Sequence, residues 1–447
     1  MTHFLTGDSD EQAMLAALGL KDVEQLFSDI PKDVRAALQL PKGRSELDVL
    51  REMKRMLAKN ATFDERPHFL GAGSYAHYVP AAVNPLILRG EFYTSYTPYQ
   101  PEILQGMLQA CFEYQTYVTR LTQMQVANIS MYDGATALAE AAMMAVRANR
   151  GAKVLVPKNL FWEKKSVIAN YLRGLGVRIE EFAYDAATGE FDIGDLERRL
   201  TVDTACVILQ NPNFFGVWES KAPDVRALLD RKAPKAFFVV DVGDPFSLAL
   251  ARGPGAYGAD VAVGEGAAIG NSVAFGGPYL GLFATKWEHV RKMPGRIVGE
   301  TVDDKGERAY CLTFSTREQH IRRDKATSNI CSNEALNALA FSIHMALLGE
   351  SGFRETAEAC QLRAEALRKR LSTLPGLRSP FSGSHFHEFV LQSEAPVAAV
   401  EQKLRAAGLR GGLDISKQHP ELGNASLWCV TELHDPATLE KVAEVLA

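Results

Sequence analysis

The sequence predicts an α/β protein with a large, doubly wound, mostly parallel sheet and a second, smaller α/β domain at its C-terminal end. Apolar runs and amphipathic segments alternate regularly between residues 153 and 241, which is the pattern of parallel βαβ units. The run at 236–240 is apolar throughout, as is typical of a strand buried on both faces. The last hundred residues show a shorter alternation of the same kind.

The predicted elements can be followed along the chain. Short capped helices begin the chain at 8–60, and an amphipathic helix occupies 102–122. The alternating region predicts strands at 153–157, 177–183, 204–210, 236–240 and 259–263, with helices at 161–174, 193–200 and 222–230. A long helix begins near residue 333, followed by strands at 387–391 and 426–431 and helices at 396–407 and 437–446.

The length of 447 residues predicts two or three domains. We place N-terminal helices and an arm rich in aromatic residues and glycine at 1–101. The large α/β domain then covers 102–334, and the small C-terminal α/β domain covers 335–447.

Composition argues against several classes of protein. The net charge of −5 gives no electrostatic reason to expect nucleic acid or an anionic membrane as a partner. No apolar run reaches the length of about 18 residues that a membrane helix needs, and the N-terminus lacks the pattern of a secretory signal. The six cysteines form no CxxC pair, so neither a disulfide framework nor a metal site is expected. We therefore expect a soluble, cytoplasmic protein without a metal.

The carboxyl ends of the predicted strands carry the candidate cofactor residues. Ligands of doubly wound sheets bind there, and Asn211 and Asp241 each follow a strand. A carboxylate in the place of Asp241 pairs with the pyridinium nitrogen in pyridoxal phosphate enzymes, which also need a lysine for the Schiff base. No lysine occurs between Asp241 and Lys286. The sequence therefore predicts a cofactor fold that cannot carry out the chemistry alone.

A third candidate is the start of the helix after residue 133. Asp133, Gly134 and Thr136 stand where free N–H groups and the helix dipole favour an anion such as a cofactor phosphate. An ordinary capped helix explains the same residues equally well.

Two polar or aromatic segments suit contacts with a ligand or another chain. The segment 91–101 combines tyrosines with proline, and tyrosine offers a flat apolar face with a polar tip. It either lines a site or is an ordered loop over a core. The charged segment 316–331 could bind a carboxylate or form ion pairs between chains. A solvated helix face explains the charges alone, but it does not explain the Ala-Thr-Ser-Asn run at 326–329.

Several long motifs together resemble one family. They are GAGSY at 71–75, YTPYQPE at 96–102, MYDGATALAEA at 131–141, GRIVGET at 295–301 and REQHIRRDKATSNIC at 317–331. The chain resembles the glycine decarboxylase family, the P protein of the glycine cleavage system, in the first (N-terminal-half) subunit of its two-subunit form. The resemblance covers almost the whole chain and implies an aminotransferase-like fold, that of type I pyridoxal phosphate enzymes.

The resemblance also implies a function and partners. A second P-protein subunit, in a heterodimer or heterotetramer, would bind pyridoxal phosphate covalently, and Ala267 lies near the position of the missing lysine. The complex would decarboxylate glycine and pass the aminomethyl group to the lipoyl arm of the H protein. Residues expected to reach the partner's active site are Tyr93, Tyr96, Thr97, Tyr99 and Gln100, and the vestigial cofactor positions are Asp133, Gly134, Thr136, Asn211 and Asp241.

Two other functions stay open on the sequence. The chain could be a self-sufficient pyridoxal phosphate enzyme that uses another lysine, with Lys286 and Lys325 as candidates. It could also be a non-catalytic scaffold that only supports the fold of its partner.

Overall fold

The computed structural model describes residues 7–36, 39–332 and 334–447. The chain divides into two units after Ala61. The predicted domain limits at 101 and 334 both lie within the second unit and stay a prediction. The predicted start of the long helix at residue 333 lies outside the described residues.

The first unit is helical. Helices α1 (Asp8–Ala17) and α2 (Glu46–Leu57) flank two 3-10 turns at Val23–Phe27 and Lys32–Val34. The side chain of Ser45 accepts a hydrogen bond from Asp48 N and caps α2, which satisfies one of the free N–H groups at a helix start. Within 7–36 and 39–61, Leu15 is the one buried apolar side chain, at 4% exposure.

The second unit contains the remaining elements. Its helices are α3 (Val83–Ile87), α4 (Gly90–Tyr93), α5 (Gln105–Thr122), α6 (Gly134–Asn149), α7 (Trp162–Leu172), α8 (Ile193–Arg199), α9 (Ala222–Lys232), α10 (Gln319–Arg322), α11 (Ala335–Ser372), α12 (Val397–Ala406) and α13 (Pro436–Leu446). Its strands are β1 (Val126–Ala127), β2 (Lys153–Pro157), β3 (Arg178–Phe182), β4 (Thr204–Gln210), β5 (Phe237–Asp241), β6 (Val261–Glu265), β7 (Gly281–Thr285), β8 (Ile297–Val302), β9 (Arg308–Thr313), β10 (Leu377–Arg378), β11 (Glu388–Ser393), β12 (Leu413–Asp414) and β13 (Ala425–Cys429).

A seven-stranded sheet forms the centre of this unit, in the order β1-β7-β6-β5-β4-β2-β3. Strands β3, β2, β4, β5 and β6 are parallel, and β7 is antiparallel to both of its neighbours, β6 and β1. Every residue of β2, β4, β5 and β6 is buried, as expected for parallel strands covered by helices on both faces. The predicted large, mostly parallel sheet is confirmed.

A smaller antiparallel sheet, in the order β10-β11-β13-β12, follows in the chain, and β8 and β9 form a separate hairpin. Helix α11 connects the two regions and is interrupted at Gly349, where φ is +60°. Such a φ costs glycine little because it has no Cβ. The strands and helices predicted for the C-terminal region are therefore present, each within two residues of its expected limits.

Two further expectations concerned the cysteines and the possibility of a membrane-spanning helix. All six cysteines are free thiols, and four of them are buried. In the described ranges, no helix has both the length and the apolar character required to cross a bilayer.

Candidate functional site

A cleft of about 360 Å³ lies beside the start of α6, near the carboxyl ends of β5 and β6. Its lining comes from residues 72–74, 133–136 and 161–167, together with Glu265, Gly276 and Tyr279. The structure therefore brings three of the predicted cofactor positions, Asp133, Gly134 and Thr136, to one cleft at the expected edge of the sheet.

The first turn of α6 is already occupied by carboxylates of this chain. Asp133 is the N-cap, and its Oδ1 accepts a hydrogen bond of 2.8 Å from Thr136 N. Gly134 N donates to Glu265 Oε2 over 2.8 Å. A Cβ on Gly134 would lie 3.0 Å from Glu265 N, so glycine permits this close approach. Two N–H groups that could receive an anion thus have acceptors.

Glu265 is held by further backbone groups at the end of β6. Its Oε1 accepts hydrogen bonds from Ala267 N at 2.9 Å and Leu280 N at 2.8 Å. Burial raises the pKa of Glu265, and the three backbone N–H groups oppose that effect. The carboxyl therefore fills the polar end of the cleft whether or not it is ionised.

Asp241 lies at the end of β5 and is fully buried. The ammonium of Lys164, on the first turn of α7, forms a buried ion pair with Asp241 Oδ2, and Asp241 Oδ1 accepts from Gly243 N at 3.1 Å. Sequence reasoning missed Lys164. Its signal was the spacing of Lys164, Ile168 and Leu172, which places the lysine on the buried face of α7.

The other predicted cofactor residues lie elsewhere. The side chain of Asn211, after β4, accepts from Glu219 N at 3.0 Å and is not part of the cleft lining. Ala267 lines a smaller neighbouring cavity. Neither candidate lysine of the self-sufficient enzyme lines the cleft: Lys286 pairs with Asp260, before β6, and Lys325 is exposed in a turn.

These residues do not fit pyridoxal phosphate. The ring nitrogen would need Asp241, whose two oxygens are taken by Lys164 and Gly243 N. The phosphate would need a helix start that is bonded to Asp133 and Glu265, and carboxylates there repel a dianion. The one lysine among the described lining residues, Lys164, is committed to its ion pair.

The aromatic segment, residues 91–101, does not contribute to the lining of this cleft. Tyr93, Tyr96 and Tyr99 are exposed by 60%, 68% and 51%, and Gln100 is also exposed. Thr97 is buried, and its hydroxyl has no hydrogen-bond partner among the described residues. Four of the five predicted contact residues are therefore presented to solvent, and Thr97 is not.

An arginine holds the aromatic segment in place. Arg296, 8% exposed, donates from one guanidinium nitrogen to the Tyr99 hydroxyl at 2.6 Å and lies over its ring at 5.1 Å. Its Nε lies 2.9 Å from Glu318 Oε2. The motifs at 295–301 and 317–331 thus meet the segment at Tyr99.

A buried charge network was also missed by sequence reasoning. His77 donates from Nε2 to Asp244 Oδ2 at 2.8 Å and from Nδ1 to Glu432 Oε2 at 2.7 Å, and His387 Nε2 lies 2.8 Å from the same Asp244 oxygen. Burial lowers the pKa of His77, but Asp244 and Glu432 outweigh it and raise this pKa well above 6.5. The His77, Asp244 and His387 atoms are close enough to share a metal ion, although hydrogen bonds already satisfy them. That no metal binds stays a prediction.

Comparisons with known proteins address the family. The sequence profile described as "Glycine cleavage system P-protein" matches residues 1–446. A relative from Moorella thermoacetica, described as "Probable glycine dehydrogenase (decarboxylating) subunit 1", is 47% identical over 449 residues, covering 100% of this chain and 98% of its own. The crystal structure of an inhibitor-bound glycine decarboxylase (P-protein) superimposes with a TM-score of 0.91 at 38% identity, covering 100% of this chain and 99% of that one.

A more distant structural neighbour supports the fold alone. A mutant of C-DES with glycine covalently linked to its pyridoxal phosphate cofactor superimposes with a TM-score of 0.61 at 13% identity, over 87% of this chain and 99% of its own. The aminotransferase-like fold expected from the sequence is therefore confirmed.

Proposed function

Because the chain belongs to the glycine cleavage system P-protein family, we propose that it is subunit 1 of a two-subunit glycine dehydrogenase (decarboxylating). The observation that carries the proposal is the match to subunit 1 relatives along the entire chain. The occupied cleft supports the division into two subunits, since its residues do not fit the cofactor.

In the proposed complex, the second subunit binds pyridoxal phosphate covalently, and that cofactor supplies the electron sink for the loss of carbon dioxide from glycine. The lipoyl arm of the H protein then receives the aminomethyl group. Family membership supports this proposal, and so do the ion pair of Asp241 with Lys164 and the position of Glu265.

The part assigned to this chain is to complete the partner's active site. The exposed tyrosines of 93–100 would form an apolar wall that excludes water from the glycine carboxylate, and a carboxylate without its hydration shell loses carbon dioxide more readily. Arg296 would fix the position of Tyr99 through its hydrogen bond and ring contact. Neither task requires a tyrosine to act as an acid.

The test of the proposed function is co-expression with and without the second subunit, followed by a glycine–bicarbonate exchange assay. We expect exchange only when both subunits and the lipoylated H protein are present. Exchange by this chain alone would contradict the proposal, and so would a fully active second subunit that gains nothing from this chain.

Changes in the aromatic segment are expected to lower turnover without unfolding the chain. Tyr96→Ala removes one ring of the proposed apolar wall, and Gln100→Ala shortens a neighbouring exposed side chain. The melting temperature should therefore hold while kcat of the complex falls by about 10- to 100-fold, because water reaches the glycine carboxylate and the substrate is less well positioned. Trp287→Ala, which removes an exposed aromatic ring outside the segment, is the matched control. Unchanged kinetics in both variants would favour the scaffold function instead.

Borohydride reduction of the complex should leave no pyridoxyl-lysine on this chain. Lys164 is the lysine in the cleft, and its amine is paired with Asp241. Ala267→Lys should not create a self-sufficient enzyme, because Asp133 and Glu265 still occupy the helix start. Tryptic mass spectrometry reads out both results. A stoichiometric adduct on any lysine of the natural chain would overturn the assignment of the cofactor to the partner.

A further inference from the structure

The cleft beside the start of α6 has room for a ligand of cofactor size. Its volume of about 360 Å³ lies within the range of roughly 300–1,000 Å³ that is usual for small-molecule sites. Small or apolar residues such as Gly73 and Val167 form much of its wall, and the Phe161 ring there is stacked on Phe214 at 5.2 Å. The cleft therefore disagrees with pyridoxal phosphate through the charged side chains at its ends and not through lack of space.

Glu265 occupies one end of the cleft, at the start of α6. It is 7% exposed, and Gly134 N donates to its Oε2 at 2.8 Å. Its Oε1 accepts from Ala267 N at 2.9 Å and from Leu280 N at 2.8 Å. Three backbone donors around one carboxyl group favour its ionised form. A phosphate at this helix start would have to replace Glu265 as the acceptor of Gly134 N and would lie beside its negative charge.

Lys164 occupies the other end. Its side chain is 5% exposed, and its ammonium is paired with the fully buried carboxylate of Asp241. The second oxygen of Asp241 accepts from Gly243 N at 3.1 Å. A pyridinium nitrogen that approached Asp241 would have to separate a buried ion pair and would meet the Lys164 cation, and both effects are unfavourable.

We propose that Glu265 and Lys164 determine ligand specificity in this subunit, by excluding phosphate-bearing ligands from a cleft that has the space for them. The missing lysine prevents the covalent bond to the cofactor but does not by itself prevent non-covalent binding. The two side chains add that second barrier. This inference rests on the proposed function and deepens it, because it explains how the cofactor is confined to the second subunit.

The first test is a gain of phosphate binding by the full-length chain alone. Glu265→Gln keeps an oxygen for Ala267 N and Leu280 N but replaces the oxygen facing Gly134 N with an amide donor. Titration calorimetry with inorganic phosphate should show affinity at least about 100-fold higher than that of the natural chain, because a like charge is removed and a donor is added. Glu265→Ser, which also removes the charge, should give a gain of the same kind and serves as the second variant if the amide is not accommodated.

The second test addresses the Lys164 end of the cleft. Its probe is pyridoxine 5′-phosphate, which has the ring and the phosphate of the cofactor but no aldehyde to react with surface lysines. Adding Lys164→Met to Glu265→Gln should raise affinity for this probe by a further factor of about ten, because Asp241 can then accept from the ring nitrogen. Affinity for inorganic phosphate should not change on this addition.

The matched control is Glu163→Gln. Glu163 also lines the cleft, but it is exposed on the first turn of α7. The substitution removes the same charge from the cleft and leaves the start of α6 as it is. Affinity for inorganic phosphate should therefore stay within about threefold of the natural value, the scale of an exposed charge. Circular dichroism checks that each variant is folded.

Three results would overturn the inference. A folded Glu265→Gln chain without a gain in phosphate affinity would show that Glu265 does not exclude the anion. An equal gain in Glu163→Gln would assign the exclusion to the total charge of the cleft. Binding of pyridoxine 5′-phosphate by the natural chain as tightly as by the double variant would show that neither side chain excludes it. Each of these results leaves the two-subunit function standing, since the exchange assay tests that function separately.

Discussion

His77→Gln is expected to lower the free energy of unfolding by about 3–5 kcal/mol, the usual result of removing one partner from a buried charge pair. The change leaves Asp244 and Glu432 without their shared cation. Asp244 is fully buried, so solvent cannot compensate. Urea unfolding measures the effect.

The matched control for this variant is His320→Gln. His320 is half-exposed beside Glu318, and exposed pairs contribute about 0–1 kcal/mol. If the two substitutions lower the free energy of unfolding by the same amount, the buried ion pairs of His77 do not stabilise the fold more than an exposed pair does. That result would contradict the account of the network.

The same network predicts a pH dependence. The pKa of His77 is raised in the folded state, so its contribution is complete below about 6.5 and is lost as pH rises through the folded-state pKa. The pKa of Asp244 is lowered by His77 and His387 against the effect of burial, so its contribution is lost only in strong acid. The difference between the natural chain and His77→Gln should therefore shrink above pH 6.5, and a constant difference up to pH 10 would contradict this reasoning.

Lys164→Met is expected to cost a similar amount, about 3–5 kcal/mol, because it leaves the Asp241 carboxylate buried and unpaired. Adding Asp241→Leu should recover part of that loss, since replacing both members of a buried pair by apolar residues is often close to neutral. Chemical unfolding of the single and double variants measures the coupling between the two residues.

The neighbouring Lys165 provides the control. Lys165 pairs with Glu181 at the surface, so Lys165→Met should change stability by no more than about 1 kcal/mol. A double variant less stable than Lys164→Met would mean that Asp241 is satisfied without Lys164, and the account of the occupied cleft would be wrong.

Local sequence patterns predicted most of the large sheet. The runs at 154–156, 205–209 and 236–240, which form most of β2, β4 and β5, are continuously apolar, as is typical of strands buried on both faces. The absence of lysine between Asp241 and Lys286 could also be found from the sequence, because it is read directly from the order of residues. The burial of Lys164 was predictable from its spacing with Ile168 and Leu172 on one face of α7. We missed it because Lys165 follows directly, and two adjacent lysines are typical of an exposed helix surface.

The charge network and the clamp on Tyr99 were not predictable in this way. His77 bonds to residues 167 and 355 positions away, and Arg296 reaches Tyr99 across 197 positions. No helical or strand period connects such distances, so only the fold brings these side chains together.

The position of these long-range bonds in the chain has a consequence for synthesis. Ala72 N and the Tyr75 hydroxyl both donate to Glu388, at 2.7 and 2.9 Å. His77 bonds to Glu432, which is synthesised later still. At the ribosome's rate of about 5–20 residues per second, a segment made at residue 72 remains without these partners for roughly 15–60 s. The segment 72–77 therefore cannot adopt its final bonds on the ribosome until almost the whole chain has been translated. In a chain stalled before residue 388, β2 to β6 have all been synthesised, whereas Ala72 and Tyr75 still lack Glu388 and His77 still lacks Glu432.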